Sequence, residues 1–125
     1  MKTNDLEERV INFAVSIINM TNSIESNFAG NYYRNQLIRS SGSPALNYGE
    51  ARSAKSHKDF VHKMGICLKE LRESHNCLKI INRAKLYKGV QEKIDHIIDE
   101  NNQLISIFVA SIKTSKSNNS KIVNR

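Results

Sequence analysis

Apolar residues recur through this chain at alternating intervals of three and four, and that spacing leaves few folds open. Leu6, Val10, Phe13, Ile17, Met20 and Ile24 set the pattern. Such a seam buries one side of a helix against neighbours that run at a shallow angle to it. It predicts a first helix from about residue 4 to residue 26, with Asn4 at its cap and Asp5, Glu7 and Glu8 facing the positive end of the dipole. Ser26-Asn27, or Gly30-Asn31 at the latest, should stop it.

The rhythm continues through Tyr33, Leu37, Ser40, Pro44, Asn47, Ala51 and Ala54. This second helix is unusual, because its middle seam positions are small or polar and Pro44 removes a backbone donor. We read the proline as a kink inside one helix rather than a break. Ser56, with Asp59 three residues on, caps a third helix whose seam is Phe60, Met64, Cys67, Leu71, Leu78 and Ile81, to about Ala84. After a turn at Lys85–Gly89 the seam resumes through Val90, Ile94, Ile97, Leu104 and Phe108, with Asn101 in phase, and should end near Thr114. Residues 1–114 thus read as one antiparallel, up-down four-helix bundle of all-α class, and residues 115–125 as a disordered basic tail. A chain of 125 residues with one proline and five glycines suits a few long helices and one core.

Helix four carries a second apolar line, Ile98, Ile105 and Ile112, widened by Val109. A stripe this broad suits either a helix generously buried in its own bundle or one buried on two sides, and on the second reading this line, with parts of helix one, is the expected oligomer interface. Asn47 and Glu50 are expected as a polar core, with Glu50 paired to Lys58, Lys69 or Arg72 of helix three.

Charge narrows the function classes. Lys and Arg outnumber Asp and Glu by 19 to 12, a net +7. Residues 34–93 alone hold thirteen basic and five acidic side chains, +8. Phosphate backbones are the natural counterpart, and Arg52, Lys55, Lys58 and Lys63, near the start of helix three, are the candidate RNA or DNA contacts.

No apolar run is long enough for a membrane span and no leader is evident, so a soluble cytoplasmic protein is expected. Cys67 and Cys77 lie ten positions apart, about 15 Å along a helix, too far to bridge. Asp95 with Asp99, and His96 with Glu100, share helix faces but lack metal-site spacing and read as surface groups. Arg52 and His57 resemble the short arginine–histidine motif of the helical ribonucleases grouped as HEPN domains, a pattern too brief to define catalytic residues. No enzyme, cofactor or metal is expected.

The run Ser43-Pro44-Ala45-Leu46-Asn47-Tyr48-Gly49-Glu50-Ala51, followed by Lys58-Asp59-Phe60, His62-Lys63-Met64 and Leu68-Lys69-Glu70-Leu71, resembles the four-helix bundle family encoded in intervening sequences of large-subunit ribosomal RNA genes. The likeness spans about Tyr33 to Ile81. It implies an antiparallel bundle assembled as a homopentameric ring, and no enzymatic activity. The accessory protein of diversity-generating retroelements is similar, and that branch implies nucleic acid and a reverse transcriptase as partners. The leading expectation is a non-enzymatic, nucleic-acid-binding oligomer; the alternative is a structural or protein-interaction module without that role.

Overall fold

The computed structural model describes residues 3–123, with side chains from 5 to 118. Four helices follow in order: α1 (Thr3–Met20), α2 (Phe28–Arg52), α3 (His57–Arg83) and α4 (Gln91–Val123). Each packs against the next in sequence, and α4 returns beside α1. Pairings run antiparallel throughout. Arg52 of α2 reaches back to Glu7 of α1, Lys63 of α3 to Glu50 of α2, and Asn101 of α4 to Leu71 of α3.

The core is the predicted seam. Val10, Ile17, Leu37, Cys67, Leu71, Leu78, Ile81, Ile94, Leu104 and Phe108 are completely buried. Tyr48 meets Phe108 edge to face at 5.7 Å, tying α2 to α4. On α2 the seam is as small as expected, and the small groups have a use. Ser40 and Ser74, both fully buried, hydrogen-bond at 3.0 Å between α2 and α3. Helices can approach closely where side chains are this short. Pro44 sits inside an unbroken α2, and Cys67 Sγ lies 3.5 Å from its carbonyl.

Three expected boundaries move. Helix α1 stops at Met20, short of residue 26, and a single 3-10 turn (Thr21–Ser23) follows. Thr21 Oγ1 donates back to the Ile18 carbonyl, and Arg34 of α2 donates to the carbonyls of Thr21 and Ile24. The Ile18 carbonyl of α1 is thus capped locally, while the carbonyls of the turn that follows find a partner across the bundle in Arg34. Ile24 is still buried, but as an isolated antiparallel bridge to Tyr87. At the other boundary, α4 continues to Val123 rather than ending near Thr114. No Gly or Pro follows Gly89, so nothing in the backbone halts it. The expected tail is therefore helical through Val123. At the N-terminus α1 starts at Thr3, so Asn4 lies within it; the Asn4 side chain is outside the described residues.

The crossovers are set by local chemistry. Asn27 caps α2 by accepting from Gly30 N at 2.7 Å, and Ser56 caps α3 by accepting from Asp59 N at 3.0 Å. Gly30 is required there: a Cβ would stand 1.8 Å from the Glu25 carbonyl oxygen. Helix α3 ends in a Schellman turn, with Leu86 N bonded to Ile81 O at 3.0 Å and Lys85 N to Asn82 O at 3.2 Å. Lys85 takes the left-handed conformation, at φ 59°. The α1–α2 and α3–α4 crossovers lie at the same end and pair, through Glu25 N to Leu86 O (2.8 Å) and Lys88 N to Ser23 O (2.7 Å).

Candidate nucleic-acid interface

Two of the four expected phosphate contacts are already engaged. Arg52 is bonded to Glu7 at 2.6 Å, and Lys63 to Glu50 at 3.3 Å. Their carboxylate partners cancel much of the field that an incoming phosphate would feel. Lys55 and Lys58 are exposed with no ion partner among the described residues. The turn between α2 and α3 is thus only half the patch that charge counting suggests.

The stronger surface lies further along α3. Lys58, His62, Lys69, Arg72, Asn76 and Arg83 are exposed positions spaced by three, four or seven, and Lys79 is half-buried beside them. None of these positions is acidic. The carboxylates of α3 are drawn elsewhere: Arg39 of α2 binds Glu70 at 3.0 Å and also holds Glu73. That sorting leaves the outward line of α3 free of carboxylates, with its cations at Lys58, Lys69, Arg72, Lys79 and Arg83. His75, facing the α3–α4 groove beside Arg72 and Asn102, has its pKa lowered, mainly by burial and further by Lys79. It adds little positive charge near neutral pH.

Glu50 and Asn47 do not form a polar core. Glu50 is 60% exposed, its partner is Lys63, and Asn47 is half-buried and donates to Ser43 O and Ser43 Oγ on its own helix, at 3.0 and 2.9 Å. The inward position is Tyr48, one residue beyond Asn47, because its ring fills the space against Phe108 that a short amide would leave empty. The buried polar side chains are instead Thr21, Ser40, Ser41, Ser74 and Asn101. Asn101 donates to Leu71 O at 3.1 Å, while its Oδ1 has no hydrogen-bond partner among the described residues.

Ile98, Ile105 and Ile112 are also not a free face. All three are half-buried and pack against the chain's own core. Helices α3 and α1 flank that line on two sides, while Val109 beside it is 40% exposed. Further exposed apolar side chains lie on α1 and α2. Ile11, Val15 and Ile18 point outward on α1, and Ile38 and Leu46 on α2, with Leu46 73% exposed. Apart from Leu37 and Tyr48, the buried positions of α2 are small or polar (Gly30, Ser40, Ser41, Pro44 and Ala51), while Ile38 and Leu46 lie outward. Residues 10–24 and 40–49 contain no charged side chain, in a chain where a quarter of residues are charged. Uncharged, aliphatic and exposed is the composition of an interface centre.

Sequence reasoning missed two exposed aromatic rings. Phe28 is 91% exposed at the first position of α2, and Tyr32 is exposed one turn later. Their phase, one step off the seam, was the available signal.

A groove of about 240 Å³ between α1 and α4 is lined by Asn12, Ser16, His96 and Glu100. Arg9 clasps Glu100 there through two bonds of 2.8 and 2.7 Å. Cys67 and Cys77 are buried; burial pushes the Cys67 thiol up to about 12 and also raises Cys77. Neither is poised as a nucleophile. No helix among the described residues is long and apolar enough to cross a membrane.

A single antiparallel up-down bundle of four helices, with a basic outward line on α3, defines the class. The chain belongs to the 23S rRNA-intervening sequence protein family, which it matches over residues 2–110. A solved structure from the S23 ribosomal protein family of Bacteroides thetaiotaomicron, a protein of unknown function, is similar at a TM-score of 0.79 and 28% identity. The likeness covers 90% of this chain and 99% of that one. No curated protein matches the chain.

Proposed function

We propose that this protein is a non-enzymatic, self-associating helical bundle whose α3 surface contacts the phosphate backbone of nucleic acid. The observation that carries the reading is the carboxylate-free outward line of α3, from Lys58 through Lys69 and Arg72 to Arg83. Lys and Arg spaced along one helix neutralise successive phosphates and release counterions, without reading base edges. The contact is therefore tolerant of sequence and sensitive to salt.

Self-association strengthens such a contact. Two copies of a +7 chain repel over most of their surface, and the charge-free face of α1 and α2 is where they meet without opposing lysines. A ring of five copies, as the family resemblance implies, repeats the α3 line around the assembly and multiplies a weak single-site affinity. A reverse transcriptase partner belongs to the same reading, as a protein held to the nucleic acid by this scaffold.

Fluorescence anisotropy with labelled RNA and DNA at two salt concentrations tests it. Binding should weaken steeply with salt, and the triple variant Lys69→Glu, Arg72→Glu, Arg83→Glu should abolish it while keeping helical content. Unchanged affinity in that variant would leave the protein-interaction role as the reading.

A further inference from the structure

We infer that the nucleic acid recognised is single-stranded, and that Phe28 and Tyr32 form a stacking platform for its bases at one end of the α3 line. This rests on the nucleic-acid reading above. Phe28 has no place in the core: capped by Asn27 and followed by the buried Gly30, it projects from the end of the bundle almost fully into water. Tyr32 is 52% exposed, and its ring stands at 87° to that of Tyr33 with centroids 5.0 Å apart, a contact that orients it.

Charge and ring come together through the antiparallel packing of α2 on α3. The pairs Glu50–Lys63 and Ser40–Ser74 fix the register, so the start of α2 lies level with the last turn of α3. Arg83 closes that turn, and Lys85 follows it, both exposed. Exposed rings at the same level of the bundle as exposed cations match a strand with accessible bases and a phosphate every nucleotide. In a duplex the base faces are stacked on each other and hidden from such rings. The same platform gives no preference among bases, because every base offers a π-face.

The chain has no tryptophan, so Phe28→Trp introduces a single reporter at the platform. Titration of the full chain with a single strand of about 12 nucleotides, and with a duplex of equal length, should show tighter binding to the single strand. Emission of Phe28→Trp should be quenched on saturation with the single strand. Phe28→Ala and Tyr32→Ala should each weaken single-strand binding about tenfold, with the salt slope, duplex affinity and oligomeric state unchanged. Unquenched indole emission from the Phe28→Trp variant, or Phe28→Ala affecting self-association and not affinity, would overturn the platform. If the α3 triple variant still loses binding in those circumstances, the phosphate contact stands without stacking. If it binds normally, the nucleic-acid reading itself falls.

Discussion

At residue scale, stability turns on a few positions where backbone or burial sets the terms. Lys85 occupies the left-handed position of a Schellman turn that glycine ordinarily fills. A side chain in that conformation costs on the order of 1 kcal/mol. Lys85→Gly should therefore stabilise the chain by up to about 1 kcal/mol, read as a higher urea midpoint at unchanged slope. Cys67 offers a pH test. Its thiol is held up to about 12 by burial, against an ordinary value of 9.0, so the unfolded chain loses this proton first. The stability associated with the protonated thiol is intact below pH 9.0 and declines as pH rises from there toward about 12. Denaturation between pH 8 and pH 11 should show that decline, and Cys67→Ala should make it shallower. An unaltered slope in the variant would assign the alkaline loss to other groups.

At the scale of elements, Asn101 sets the register of α4 on α3. Its amide donates to Leu71 O, but Oδ1 is left without a partner at full burial, which costs about 1–3 kcal/mol. A polar residue at one seam position specifies alignment at the expense of stability. Asn101→Leu should raise stability by about 1 kcal/mol in chemical denaturation, and broaden the NMR signals of α4 as alternative registers become populated. A loss of stability would show the amide to be a net stabiliser. Ile105 tests the fate of the second apolar line. Because it packs against the bundle's own core, Ile105→Glu should destabilise the monomer by about 2 kcal/mol or more. Dissociation of an oligomer with the fold untouched is the opposite result.

At the scale of the whole molecule, charge is partitioned among faces. The outward line of α3 is basic, the contacts between helices hold the ion pairs, and the uncharged stretches 10–24 and 40–49 expose an apolar surface through Ile11, Val15, Ile18 and Leu46. If that last surface joins copies, Ile18→Lys with Leu46→Lys places two cations in the contact of every subunit. Sedimentation should then find a monomer with native circular dichroism, where the parent chain should sediment as an oligomer. An unaltered sedimentation coefficient would move the contact elsewhere.

Periodicity determined the class of fold and most of the buried side of each helix, Asn47 and Val90 excepted, because burial on a helix follows a period that the chain itself displays, and residue type gave the cap of Ser56 on Asp59 N. Periodicity also carried Ser40, Pro44 and Asn101 to their buried places. Tertiary structure decided whatever depended on a neighbour at a distance in sequence. Arg34 captured the turn after α1 across the bundle, and Glu7, Glu50, Glu70 and Glu73 chose which basic side chains would be neutralised. Charge counting assigns a patch to Arg52 and Lys63, yet only the folded chain brings their carboxylates within reach. The same holds for α4, whose second apolar line is free in sequence and covered in space. A surface is what remains after packing has taken its share, and that remainder is not written in any one segment.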